Sequence, residues 1–144
     1  MSCLNVGDEA LASLPDFPSL RELMPMDIPD HGYRHIGKCA QLESLVLMYC
    51  RDTTDAATEH LAGLEKLRNY FNSYTTITDR TPEILSGMNS LETITFDACH
   101  GLTNDGIAQL AKLPNLKELR VSGNGLTRDV VNAFSPRVVV HYHP

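Results

Sequence analysis

Three sets of side chains in this chain have types that could do chemistry: four cysteines, six histidines and a recurring row of carboxylates. Thiols can act as nucleophiles, metal ligands or disulfide partners, but Cys3, Cys39, Cys50 and Cys99 show no close pairing. They match neither a zinc ribbon nor the dense framework of a small secreted domain. His141 and His143 alternate with Tyr142, so on a strand they would share a face, and a terminal His-Tyr-His-Pro could chelate a transition metal weakly. Spacing supplies no third ligand, because His31, His35, His60 and His100 are scattered; a solvated tail and no metal are the expectation. Asp8, Asp30, Asp55 and Asp79, with Asn104 in the same column, could in principle hold calcium or work as acid–base pairs. Capping of helix starts and the favourable helix dipole explain the same row without function. No Ser-His-Asp, Cys-His or phosphate-loop arrangement is present, and Gly123-Asn124-Gly125 reads as a turn. The chain is expected not to be an enzyme and to need no cofactor.

The elements that must position these groups repeat. Leu20, Leu42, Leu67, Leu91 and Leu116 each open a similar stretch, at spacings of 22, 25, 24 and 25 residues. Three stretches share one pattern of apolar positions ending in Cys or Asn: Leu42-Leu45-Leu47-Cys50, Leu91-Ile94-Phe96-Cys99 and Leu116-Leu119-Val121-Asn124. The other two read as degraded, since Tyr70 and Asn72 replace inner aliphatics in one and Pro25 interrupts the other. Upstream columns are as regular. Phe17, Cys39, Leu64, Met88 and Leu113 stand three residues before each opening leucine; Leu14, Ile36, Leu61, Leu85 and Leu110 stand six before. A column nine upstream holds Leu11, Tyr33, Thr58, Pro82 and Ile107, and one fourteen upstream holds Val6, Ile28, Thr53, Ile77 and Leu102. Apolar groups three residues apart suit one face of a short helix or 3₁₀ turn. Thr54-Asp55, Thr78-Asp79, Thr103-Asn104 and Thr127-Arg128 supply helix-start signals. A strand, a turn, a short helix and a return loop therefore recur about every 24 residues.

This pattern resembles the leucine-rich repeat, and more specifically its cysteine-containing subfamily, found behind F-boxes and in ribonuclease-inhibitor-like proteins. The resemblance runs from about Val6 to the C-terminus. It implies an α/β solenoid of about five repeats, with a parallel sheet on the concave side and helices on the convex side. Stacked units share a core that no single unit can bury. On a sheet with about 4.8 Å between strands, Cys50 and Cys99 lie roughly 10 Å apart, too far for a disulfide. Cys39, Cys50 and Cys99 are expected to be small buried groups, with Cys3 alone exposed. Val138 to Tyr142 reads as a closing strand, and a brief strand around Cys3 and Leu4 would shield the first repeat. The expected layout is one domain over residues 1–144, with a partial repeat at 1–17, full repeats over 18–137, and a closing strand and tail at 138–144.

Composition narrows the partner. With 144 residues and a net charge of −6, the chain lacks the clustered positive field that nucleic acid or an anionic membrane requires. Its longest apolar run, Leu45 to Cys50, is too short to span a bilayer, and the first residues lack a signal-peptide layout. A reduced, cytoplasmic protein is expected.

The remaining surface is the concave face, where residues alternating with the buried leucines point outward in three ladders. These are Glu22, Ser44, Asn69, Thr93 and Glu118; Met24, Val46, Phe71, Thr95 and Arg120; and Met26, Met48, Ser73, Asp97 and Ser122. Met24, Met26, Val46, Met48 and Phe71 make an apolar half, and Thr95, Asp97 and Arg120 a polar half. A contiguous exposed apolar patch is typical of a recognition surface. The expectation is a non-enzymatic module binding a protein partner there, or self-associating through it. Two alternatives stand beside it: the substrate-receptor part of a ubiquitin-ligase adaptor of the F-box type, as the resemblance allows, and a structural segment of a larger solenoid.

Overall fold

A computed structural model describes residues 2–4, by backbone alone, and residues 7–144. Seven parallel strands follow one another across a single sheet in chain order. They are β1 (Ser2–Leu4), β2 (Glu22–Met26), β3 (Ser44–Met48), β4 (Asn69–Ser73), β5 (Thr93–Asp97), β6 (Glu118–Ser122) and β7 (Val139–His143). Between them run α1 (Asp8–Ala12), α2 (Tyr33–Ile36), α3 (Asp55–Leu61), α4 (Arg80–Leu85) and α5 (Asn104–Ala108), with 3₁₀ turns beside several and one, Arg128–Ala133, replacing the last helix. Parallel neighbours joined by short crossovers require each helix to lie on the same side of the sheet.

The upstream columns form the core. Every described member of the columns six, nine and fourteen residues upstream is buried, as is every opening leucine. Val6 lies outside the described residues, as does the side chain of Cys3. Phe17 departs from its column: it follows the 3₁₀ turn Leu14–Asp16 and is 52% exposed. Tyr70 and Asn72 are not degraded positions. Both are buried; Asn72 Nδ2 donates to the Tyr70 hydroxyl at 2.8 Å, and the Tyr70 ring meets Phe96 edge-on at 6.0 Å. Burial pushes the Tyr70 phenol well above its ordinary range. Thr75, in the cysteine position, donates to Asn72 Oδ1, so this repeat fills its core with a satisfied polar cluster in place of aliphatics.

Cys39, Cys50 and Cys99 are buried as expected, and two of them add a hydrogen bond between repeats. Cys50 Sγ lies 3.5 Å from Pro25 O and Cys99 Sγ 3.5 Å from Asn72 O, each thiol reaching a carbonyl of the preceding repeat. Burial raises the thiol pKa of Cys39, Cys50 and Cys99.

The carboxylate row has a different role from the one expected. Thr54 and Thr103 are the side-chain caps, accepting from Ala56 N and Gly106 N at 3.3 Å. The aspartates reach across to the next repeat. Asp79 accepts from Thr103 N at 2.8 Å and from the Thr103 hydroxyl at 2.6 Å; Asp30 holds Thr54, and Asp55 holds Thr78, in the same way. Asn104 continues the row with its amide, accepting from Thr127 N and donating to Thr127 Oγ1. Asp30, Asp55 and Asp79 thus each satisfy an amide that would otherwise be unpaired at the start of the following helix, whereas Asp8 pairs with the Arg34 guanidinium at 2.8 Å.

A further column escapes any reading by hydrophobic pattern. The residue after each of β2 to β6 has positive φ: Asp27 (53°), Tyr49 (58°), Tyr74 (55°), Ala98 (52°) and Gly123 (155°). Glycine suits this turn best, and at Gly123 a Cβ would also stand 2.7 Å from Cys99 O.

Candidate functional site: the concave sheet face

Alternation along each strand delivers the face. Leu45 and Leu47, Ile94 and Phe96, and Leu119 and Val121 turn into the core, so the residues between them turn out. Register then lines the outward residues up. Val46 pairs with Phe71, Phe71 with Thr95, Thr95 with Arg120 and Arg120 with His141, an unbroken row over five strands. Met48 pairs with Ser73 and Ser73 with Asp97 in the row beside it. The structure therefore brings Val46, Met48, Phe71, Thr95, Asp97 and Arg120 together.

The N-terminal part of the patch is joined less directly. β2 runs through Pro25 as a strand, but its pairing with β3 covers only Glu22 with Ser44 and Leu23 with Leu45. On its opposite edge Met24, Pro25 and Met26 pair with β1. Proline has no N–H to donate to a ladder, which accounts for the parting of β2 from β3 beyond Leu23. Met24 and Met26 are half-buried, as are Val46, Met48 and Phe71. Ser73, expected to face outward, is buried.

The polar half is organised by one ion pair and by further contacts of Glu118 and Asp97. Glu118 Oε1 lies 2.8 Å from Arg120 Nη2 and 3.1 Å from His141 Nε2, while Asp97 Oδ1 accepts from the Ser122 hydroxyl at 2.7 Å. Where the halves meet, Phe71, Thr95, Asp97, Arg120 and His143 wall a shallow hollow of ≈ 210 Å³ floored by Phe96 and Val121. That is below the usual size of a small-ligand pocket, about 300–1,000 Å³. His141 and His143 are not a solvated tail. They belong to β7, paired with Arg120 and Ser122, and extend the polar half by one strand. The alternation His141-Tyr142-His143 is the sequence signal for this: Val140 and Tyr142 pack on the core and the histidines face the other way.

Other candidate chemistry is dispersed. His35 Nε2 is buried and lies 3.3 Å from Asp8 Oδ1, close enough for an ion pair when protonated but not aligned as a hydrogen bond. Among the described residues no three His, Cys, Asp or Glu side chains cluster as a metal site, and no helix is long and apolar enough to cross a membrane.

Fold and face together define an α/β leucine-rich repeat solenoid with a ribbed concave sheet. No model of a known protein family matches the chain, and no curated protein matches its sequence. Among solved structures, an internalin C2 from Listeria monocytogenes superposes with a TM-score of 0.62 at 19% identity, covering 92% of this chain and 55% of that one. A second internalin from the same organism, inlF, gives a TM-score of 0.40 at 16% identity, covering 91% and 56% respectively. The chain thus spans little more than half the length of these structures. The likeness is one of fold, and it confirms the leucine-rich repeat architecture at that level.

Proposed function

We propose that the chain is a non-enzymatic protein-binding module whose concave sheet face takes a protein partner, with Val46, Met48 and Phe71 as the apolar anchor. Met24 and Met26 widen that anchor, and Thr95, Asp97 and Arg120 form its polar side. The observation that carries the reading is the in-register row from Val46 to His141, whose side chains serve no part of the core and change from apolar to charged along its length. Large anchors beside a polar rim are the usual anatomy of an interface. Residues 1–144 form one repeat domain in this reading, working without a cofactor in the reducing cytoplasm, which the unpaired thiols of Cys39, Cys50 and Cys99 suit.

One observation favours a narrower reading. Cys50 and Cys99 occupy the cysteine position of the subfamily, each bonded to the preceding repeat, as a substrate-receptor part of an F-box-type ubiquitin-ligase adaptor would carry them.

Affinity capture with mass spectrometry, run with the wild type and with Met48→Glu and Phe71→Glu, tests the main reading. The expected result is that both variants keep the wild-type circular dichroism spectrum and lose the captured partner. Equal capture would move the site to the loops or the helical side, and collapse of the fold would place these side chains inside.

A further inference from the structure

The column of positive-φ residues carries a feature that the concave face does not use. Two consecutive members are tyrosines, held in a backbone conformation that penalises bulky side chains. The rings of Tyr49 and Tyr74 stack with centroids 5.2 Å apart and planes within 15°, and they remain 50% and 46% exposed. Tyr49 covers one side of Tyr74. In the next repeat the column holds Ala98, a single methyl group, and among the described residues no second ring packs on Tyr74. The space is a hollow of ≈ 270 Å³ lined by Arg51, Tyr74, Thr75, Thr76, Ala98 and His100. It falls just short of the range for small-ligand pockets, about 300–1,000 Å³, and suits one side chain better than a whole ligand.

Charge at the hollow selects what that side chain brings with it. Arg51 is exposed, and among the described residues its guanidinium has no hydrogen bond or ion pair, although the chain as a whole is acidic. His100 Nδ1 accepts from Asn124 N at 3.3 Å, which leaves Nε2 as a donor. We propose that this hollow receives an aromatic side chain of a partner polypeptide, stacked over Ala98 as the third ring of the column, with a neighbouring carboxylate of that polypeptide paired to Arg51. Ring stacking supplies affinity and the guanidinium–carboxylate pair sets orientation. The site lies at the strand-to-helix turns and does not rest on the concave-face reading.

The chain contains no tryptophan, so a tryptophan-bearing probe reports binding without background. The probe is the blocked peptide Gly-Glu-Trp-Glu-Gly, titrated with the intact chain and followed by fluorescence. A saturable change is expected. Ala98→Tyr fills the hollow with the chain's own ring, in a backbone conformation Tyr49 and Tyr74 already adopt, and should weaken binding about ten-fold. Tyr74→Gly, which also relieves the positive φ, should weaken it similarly; Arg51→Gln should weaken it and remove its salt dependence. Met48→Glu should leave it unchanged, which separates this site from the concave face. Three results would overturn the proposal: no change in fluorescence up to millimolar peptide, equal binding by Ala98→Tyr, or a dimer that Ala98→Tyr dissolves, which would make the occupant a second copy of the chain.

Discussion

Asp79→Ala should loosen the joint between two repeats without disturbing the helix that begins beside it. Asp79 gives up two charge-assisted bonds, to Thr103 N at 2.8 Å and to the Thr103 hydroxyl at 2.6 Å. Bonds to charged groups contribute about 1.5–3 kcal/mol each when water is excluded. Thr103 is exposed, so water recovers much of the loss, and about 1–2 kcal/mol in total is expected, a fall in Tm of roughly 2–4 °C per kcal/mol for a chain of this size. Asp55→Ala should cost about 1 kcal/mol more, because Asp55 also accepts from Thr81, whose side chain is fully buried. Urea unfolding gives the totals, and amide hydrogen exchange gives the location. Thr103 N should lose protection in Asp79→Ala while Arg80 and Thr81 keep theirs. Gly106 offers a further check, since a Cβ there would stand 2.0 Å from Asp79 Oδ1. Gly106→Ala should therefore destabilise the wild type yet stabilise an Asp79→Gly background by up to about 1 kcal/mol, because there the clash is gone and alanine's helix propensity over glycine is released. Lost protection at Arg80 and Thr81, or strict additivity of the Gly106 and Asp79 changes, would refute the cross-repeat role.

Other outcomes follow from the same contacts. Leu91→Ala, at a fully buried position, should cost about 2–5 kcal/mol and shift the whole urea transition; an unchanged midpoint would contradict the column assignment. Burial raises the pKa of Cys39, Cys50 and Cys99, so less thiolate is available at neutral pH, and a thiol reagent should label them only as fast as the protein opens; rapid labelling of native Cys50 and Cys99 would contradict their place in the core. Lys117 and Arg68 hold the Glu92 carboxyl below its ordinary value. Its contribution is therefore present above that ordinary value and is lost as pH falls through the depressed one; the stability gap between wild type and Glu92→Gln should close on acidification, and a constant gap would refute the pairing.

The spacing of leucines from Leu20 to Leu116 was enough to identify the solenoid and, Phe17 and Ser73 apart, its core columns and outward ladders, because burial is a local property that recurs with each turn of the chain. The in-register row Val46–Phe71–Thr95–Arg120 was legible for the same reason: strand alternation and the fixed offset of each strand from its opening leucine determine it together. Contacts between repeats were not legible. Asp79 looked like a cap for its own helix because its partner lies 24 residues on, and only the stacking of repeats brings Thr103 within reach. Tyr70 and Asn72 looked like faults in the pattern because hydropathy does not register that buried polar groups can satisfy one another. The positive-φ column through Tyr49, Tyr74 and Ala98 left no mark in composition, since the turn between strand and helix imposes it whatever residue stands there. Periodicity in the chain determines which side chains are inside; the rise from one repeat to the next, visible only in three dimensions, decides which of them meet.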